Sequence, residues 1–387
     1  MRVLHAFNQP RSGGGSMAGT FATIDALRAN GHEVEVFTRR SRDFPVGLRG
    51  RVQAGVSAFH APQSLRDFAS VLDRFQPQVV HANELFPLIS PYILPLCVAR
   101  GVPVVMTCDD YHLTCPVRNH FRDGKVCTLC TGGREYRAVL NNCRANLAES
   151  AVNALYTAMI RSRRLFTRNV SHFITPSDFT GRWLVDNAGI DASRVSTIPH
   201  VITIPDTAAD AGEGTYASFG GRFVPEKGID TLIEAATRSG VPLKLSRNEH
   251  HFVTIDLPPQ VEVVVTRDRD DLAAFYRGSR MLVFPSLWFE SFGIVGAEAM
   301  SHGIPVIGSR LGALVNLIED GVDGFLFTPG DAQDLARKMA LLWNDPGLSR
   351  RMGDAARTKA IALWGRERHA SLILEAYERA RHSRINP

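Results

Sequence analysis

Short apolar, β-branched runs recur along the first half of the chain, in "RVLHAF", "HEVEVFT", "QVVHAN", "VPVVMT", "HFITPS" and "VSTIPH". Between them, apolar residues return at helical spacing in stretches such as "MAGTFATIDALRANG" and "SPYILPLCVARG". The second half repeats the rhythm. There "YASFGG", "LKLSR", "VEVVVT", "MLVFPS", "PVIGS" and "GFLF" predict strands, with helices near 229–239, 270–279, 294–303 and 331–344. Strands that are apolar on both faces belong to parallel sheets covered by crossover helices, so the fold class is α/β, with two doubly wound Rossmann-like domains. Periodicity lapses in "PHVITIPDTAADAGEGTY", which marks a linker at 201–215. The predicted division is an amino-terminal domain over 1–204 and a carboxyl-terminal domain over 205–365, with the polar-faced helix of 366–387 packing back on the first. Ligands of such sheets bind beyond the carboxyl ends of the strands, and a cleft between two facing sheets is the expected site.

Size agrees with this division, because 387 residues exceed a single core of about 100–200 residues. A composition of 44% hydrophobic and 21% charged residues excludes a disordered chain. The net charge of +5 is uneven: residues 1–205 carry 23 Lys and Arg against 15 Asp and Glu, the remainder 21 against 24. No basic stripe with interleaved aromatics points to nucleic acid. Met1 and Arg2 lead directly into a strand pattern without the apolar core of an export signal, and the apolar stretch 85–105 is broken by four prolines and Arg100. A cytoplasmic protein is expected. The amphipathic "NALYTAMIRSRRLFTRNV", with Arg161, Arg163, Arg164 and Arg168, reads either as a solvated helix face or as a peripheral contact with the inner face of a membrane carrying a lipid-linked acceptor.

Three segments carry candidate chemistry. "NQPRSGGGSMAG" follows the first strand and opens the first helix, where Gly14 and Gly15 let the backbone approach a ligand, or serve only a tight turn. It is not a GxGxxG dinucleotide fingerprint. "FGGRFVPEKG" places Arg222 and Lys227 just past a strand, where a guanidinium fork and an ammonium can neutralise a diphosphate without a divalent metal. In "FESFGIVGAEAMSHGIPVIGSRLG", Gly293 and Ile294 begin a helix whose free N–H groups suit phosphate or sugar oxygens. Glu290 before it and Glu298 inside it are acceptors for sugar and ribose hydroxyls, or otherwise a cap-like residue and a solvated charge.

These segments, together with "ALVNLIEDGVDGFLF", resemble the donor-binding signatures of the retaining, two-Rossmann-domain (GT-B) glycosyltransferases of family 4, and the resemblance extends over nearly the whole chain. "VVHANELFPLISPYI" and "DYHLTCPVRNHFRDGKVCTLC" resemble a bacterial subgroup linked to cell-surface polysaccharide assembly. The resemblance implies that Arg222 and Lys227 hold the donor diphosphate, Glu298 the ribose and Glu290 the transferred sugar. It also implies that amides at Phe292, Gly293 and Ile294 assist, and that Gly14 and Gly15 form the glycine loop near the reaction centre. Many relatives have a histidine where this chain has Asp109, after "VPVVMTC". The Asp109 carboxylate can accept from a sugar hydroxyl or steady positive charge at the anomeric carbon, or it can cap a turn.

Cys115, Cys127, Cys130 and Cys143 form C-x11-C-x2-C-x12-C, a spacing open either to a structural zinc or to reduced, buried thiols. The function implied is transfer of a sugar, with retention, from a nucleoside diphosphate sugar to a saccharide, lipid-linked or small-molecule acceptor, with no cofactor for catalysis. The alternatives are a sugar-nucleotide epimerase or hydrolase on the same scaffold, and a non-catalytic sugar-nucleotide or glycan-binding protein.

Overall fold

A computed structural model describes residues 1–9, 15–43, 47, 55–59, 61–247 and 257–383. The chain divides into two compact units. The first comprises 1–120, 128–201 and 366–387, the second 121–127 and 202–365. Gly14 and most of "SRNEHHFVT" lie outside the described residues.

The first unit holds a six-stranded parallel sheet of β1 (Arg2–Gln9), β2 (Glu33–Arg40), β3 (Val79–Ala82), β4 (Val104–Thr107), β7 (His172–Thr175) and β8 (Val195–Thr197), in the order β2-β1-β3-β4-β7-β8. The excursion after β4 contains a short antiparallel pair, β5 (Phe121–Arg122) with β6 (Lys125–Val126). The central strands are buried on both faces and split their side chains between two cores. Leu4, Ala6, Val80, Val104 and Met106 enter one; Val3, Val79, Val105 and Ile174 enter the other. That alternation follows from the two-residue period of a strand. The edge strands β2 and β8 are only partly buried.

The second unit is built from β9 (Tyr216–Gly220), β10 (Leu243–Arg247), β11 (Val261–Val265), β12 (Ser279–Phe284), β13 (Val306–Ser309) and β14 (Gly324–Phe327), in the order β11-β10-β9-β12-β13-β14. The chain winds outward from β9 to β11, then crosses back to β12 beside β9. Connections therefore leave β9 and β12 in opposite directions, and a crevice opens at their carboxyl ends. On β12, Met281 and Val283 pack on one core and Leu282 and Phe284 on the other.

The last helix, Arg366–His382, belongs to the first unit. Its residues Ile373, Ala376, Tyr377 and Ala380, at helical spacing, seal the core formed by Val3, Val79, Val105 and Ile174. It also completes a buried polar layer. Tyr377 Oη lies 2.7 Å from His81 Nδ1, whose Nε2 lies 2.7 Å from Thr107 Oγ1. The rings of His5 and His81 stand 4.6 Å apart, and His369 bridges Thr23 Oγ1 (2.9 Å) and the Pro199 carbonyl (2.8 Å).

Burial disfavours the imidazolium form of all three histidines. It pulls His5 down to about 3, with Arg28 adding to the effect, and His81 well below the usual histidine range. It draws His369 to about 4, although the hydrogen bond to Pro199 opposes the shift. Below about pH 6.5 the unfolded chain takes up protons that the folded chain refuses, so stability declines as pH falls from about 6.5 toward about 4. Urea midpoints measured across that range are expected to drop, and His369→Gln is expected to make the decline shallower.

Candidate active site

At the β9–β12 crevice three connections converge. After β9, the turn Pro225–Lys227 leads through Gly228, at φ 68°, into the helix Ile229–Ser239. A Cβ at Gly228 would sit 2.1 Å from the Pro285 carbonyl oxygen, so only glycine lets this turn lie against the end of β12. The Leu287 N–H donates to the Glu226 carbonyl (2.8 Å) and ties the two connections together. After β13, the Ala313 N–H donates to the Glu290 carbonyl (2.9 Å), anchoring the third.

Held this way, Lys227 and Glu290 meet although 63 positions separate them: Lys227 Nζ is 2.7 Å from Glu290 Oε1. The same oxygen accepts from Ser286 Oγ (2.5 Å) and Trp288 Nε1 (2.6 Å). The ammonium also lies over the faces of Phe284 and Trp288, 5.2 and 5.3 Å from their ring centres. Both charged side chains are largely buried, 13% and 7% exposed.

The helix Ile294–Ser301 opens directly beyond this pair. Gly293, at φ 97°, is its N-cap, and Phe292 is buried against the core while Ile294 is half-buried. Gly220, at the end of β9, approaches the first turn so closely that a Cβ there would lie 3.1 Å from Val295 Cγ1. The N-terminal N–H groups of this helix thus face the same crevice as Lys227. Glu298 lies inside the helix and accepts from Tyr276 Oη at 3.3 Å. Burial pushes the Glu298 carboxyl up, and it raises the Tyr276 phenol well above its ordinary value, with the Glu298 charge adding to the shift.

Arg222 sits differently. Its guanidinium is 59% exposed and faces Glu226 at 3.7 Å. Of the sequence candidates in this unit, the structure joins Lys227 with Glu290, sets Glu298 in the adjoining helix and places Phe292, Gly293 and Ile294 at that helix's start. Arg222 stays at the surface of the same connection. Tyr276, Ser286 and Trp288, which position the two carboxylates, have no periodic or motif signal; Trp288 and Ser286 stand out only by their closeness to Glu290 in sequence.

In the first unit Gly15 opens the helix Gly15–Ala29. Asp109 follows β4. Its neighbour Asp110 organises the turn, accepting from the His112 N–H (3.0 Å) and lying 2.5 Å from His112 Nδ1. Although burial acts to raise it, His112 and Arg118 hold the Asp110 carboxyl well below the usual range. Asp109 instead lines a small cavity together with His200.

The zinc site that the spacing of Cys115, Cys127, Cys130 and Cys143 left open finds no support. Among the described residues no group of three or more His, Cys, Asp or Glu is arranged to hold a metal. Cys115 is buried in its own loop, where backbone N–H groups of Val117, Arg118, Asn119 and His120 surround the sulfur, and burial pushes its thiol up. Cys130 and Cys143 pack instead into a small apolar cluster with Ala138, Val139 and Ala154. Among the described residues no helix is long and apolar enough to cross a membrane.

Two doubly wound parallel sheets, the second with a cation, carboxylates and a helix N-terminus at its switch point, define the GT-B class of glycosyltransferases. The model for glycosyl transferases group 1 matches residues 206–359 and that for the glycosyl transferase 4-like domain residues 14–200. The chain belongs to this glycosyltransferase family.

A D-inositol 3-phosphate glycosyltransferase of an Arthrobacter species is 25% identical over 96% of this chain and 92% of its own. An MMP α-(1→4)-mannosyltransferase of Mycolicibacterium hassiacum is 30% identical over 41% of each chain. Apart from the Arthrobacter protein, this chain spans about half or less of the curated relatives' length. In fold it is similar to sucrose-phosphate synthase from Thermosynechococcus elongatus, with a TM-score of 0.73, 19% identity and coverage of 97% and 98% of the two chains. It is also similar to Anabaena HepE in complex with UDP and glucose, with a TM-score of 0.64, 19% identity and coverage of 98% and 99%.

Removing one partner of the buried pair strands the other charge. Lys227→Met is expected to lower the unfolding free energy by about 3–5 kcal/mol. Adding Glu290→Gln to that variant is expected to return much of the loss, as read from urea denaturation of both proteins.

Proposed function

We propose that this protein transfers a sugar from a nucleoside diphosphate sugar to an acceptor hydroxyl with retention of anomeric configuration, in assembly of a cell-surface polysaccharide or another glycoconjugate. The observation that carries the reading is the Lys227–Glu290 pair at the β9–β12 switch point, beside the N-terminus of the helix Ile294–Ser301. Lys227 is already desolvated and fixed in place, so stabilising a departing diphosphate there requires little reorganisation. Arg222, from the same connection, supplies a second cation with a planar fork of donors.

In this reading the amides of Phe292, Gly293 and Ile294 bind phosphate and sugar oxygens, and Glu298 accepts from the ribose diol. Glu290 accepts from the transferred sugar. Asp109 accepts from a hydroxyl of that sugar, and Gly14 and Gly15 allow close backbone approach near the reacting centre. Alignment of donor and acceptor lets a phosphate oxygen take the acceptor proton on the face the leaving group departs from, which preserves configuration. No catalytic cofactor enters this scheme. The acceptor is a saccharide, a lipid-linked sugar or a small molecule, and the arginines of 161–168 offer an anionic membrane a peripheral contact.

The fold neighbour solved with UDP and with UDP-glucose makes uridine donors the first probes. Uridine, guanosine and adenosine diphosphate sugars are to be screened by thermal shift, where a bound donor raises the apparent Tm. NMR of the product then reports anomeric configuration. Free or epimerised sugar formed without acceptor would favour a hydrolase or epimerase instead. Glu298→Ala is expected to weaken donor binding by roughly 10–100-fold while kcat changes little, the scale of a hydrogen bond to a charged group. Unchanged calorimetric affinity would remove Glu298 from the ribose. Arg222→Ala, at an exposed position, is expected to lower transfer without lowering Tm, and the pair Arg222→Ala and Lys227→Ala to abolish transfer; near-normal rates would remove the diphosphate assignment.

A further inference from the structure

Two helices of the first unit carry apolar side chains on their outer faces as well as their inner ones. The inner faces of Arg137–Leu140 and Leu147–Ser162 meet in a small cluster, where Ala138 and Val139 of the first pack with Ala154 of the second and with Cys130 and Cys143. Outward, Leu140, Leu147 and Leu155 are exposed to 76%, 61% and 62%. On the longer helix Leu147, Ala151 and Leu155 recur at helical spacing along one side, and Glu149 and Arg161 are its only charges.

A third segment joins this corner. The helical turn 55–59 lies against the longer helix: a Cβ on Gly55 would be 3.8 Å from Val152 Cγ1, and the rings of Phe59 and Tyr156 meet edge to face at 6.3 Å. It exposes Val56 to 59%, and Tyr136, at the start of the shorter helix, is exposed to 55%. Among the described residues these are the five most exposed large apolar side chains of the chain. Apolar residues exposed singly are ordinary, whereas a group of them on three packed elements marks a surface that meets something.

The charge around them has one sign. Between 129 and 168 the chain has seven arginines, two glutamates and no aspartate or lysine. Both glutamates are already matched: Glu135 is buried against Arg161 at 2.5 Å, and Glu149 faces Arg144 at 3.7 Å. Arg134, Arg163, Arg164 and Arg168 are exposed and have no carboxylate partner among the described residues. A second copy docked here under two-fold symmetry would set this surface against itself, arginine toward arginine. A bilayer bearing anionic phosphates supplies the opposite charge at its surface and an apolar interior for the leucines.

We propose that this corner of the first unit is an interfacial docking surface for an anionic lipid bilayer. Leu140, Leu147, Leu155, Val56 and Tyr136 enter the boundary between headgroups and acyl chains, and the arginines meet the headgroup phosphates. The inference rests on the glycosyl-transfer reading above for its lipid-linked acceptor, and it adds to that reading the apolar residues that hold the protein at the membrane.

The test is cosedimentation of the full chain with vesicles of phosphatidylcholine alone and of equal parts phosphatidylcholine and phosphatidylglycerol. The protein is expected to bind the second and not the first, more weakly as salt rises. Leu140→Ser with Leu155→Ser is expected to lower that binding about tenfold, as is Arg134→Gln with Arg164→Gln, because apolar burial and charge contribute separately. All four positions are exposed, so Tm and the calorimetric affinity for UDP are expected to stay at their wild-type values. Leu341→Ser with Leu363→Ser, at exposed leucines of the second unit, is expected to leave vesicle binding unchanged. Equal binding to both vesicles, binding to neither, or binding that the first two pairs of substitutions leave unchanged overturns the assignment. So does a dimer that Leu140→Ser with Leu155→Ser dissociates in a protein that binds no vesicle, which gives the face to a second copy. Absent vesicle binding together with sugar transfer to a soluble acceptor overturns the surface and leaves the transfer reading standing. Vesicle binding by a protein that binds none of the sugar nucleotides supports the surface and removes the transfer reading.

Discussion

A lysine ammonium buried beside a glutamate is the constraint around which the second unit is arranged. Taking either charge out of water alone would cost several kcal/mol, so each is tolerated only because the other is in place. Lys227 is held by a carboxylate at 2.7 Å and by two aromatic faces, and Glu290 by three donors on one oxygen. Keeping these partners in register demands that the connections after β9, β12 and β13 touch. Gly228 against Pro285 and the Ala313 bond to Glu290 provide those contacts. The pair is therefore both a lock on three loops and a preformed electrostatic site.

The first unit solves a related problem with neutral groups. His5, His81 and His369 are buried as uncharged imidazoles, satisfied in part by Tyr377, Thr107, Thr23 and the Pro199 carbonyl. The returning helix Arg366–His382 contributes two members of this layer, Tyr377 and His369, along with the apolar face that closes the core beneath it. A small cavity beneath the carboxyl ends of β1, β3 and β4 is bordered by these three histidines, by Asp109 and His200, and by Ile174, Ile198 and Ile373.

Much of the architecture was legible in the residues. Each of the twelve strands of the two parallel sheets falls on a run the sequence singles out: central strands buried on both faces leave no polar alternation, whereas the partly buried edge strand β2 keeps it. The helix Ile294–Ser301, with Glu290 before it and Glu298 inside it, was equally readable, since Gly293 and the apolar turn after it announce a helix start. The pair β5–β6 had no such signal: each strand is two residues long and only partly buried. The cysteine spacing was open between metal and buried thiols; Cys115 and Cys130 are buried, Cys127 and Cys143 only partly so. Backbone N–H groups surround the Cys115 sulfur, and Cys130 and Cys143 pack in an apolar cluster, neighbours that spacing alone does not specify.

Sequence by itself determined the two sheets, the family, and which residue types stand at the ends of which strands. These follow from periodicity and from glycine and charge placed within a few residues of a strand end, all of which are local. Tertiary structure decided the partnerships: Lys227 with Glu290 and not with Arg222, Glu298 with Tyr276, Tyr377 with His81. Each joins residues that only strand order brings together, and no local spacing encodes strand order. The chain states which groups are available, and the crossing of its strands decides which of them are close enough to act on one another.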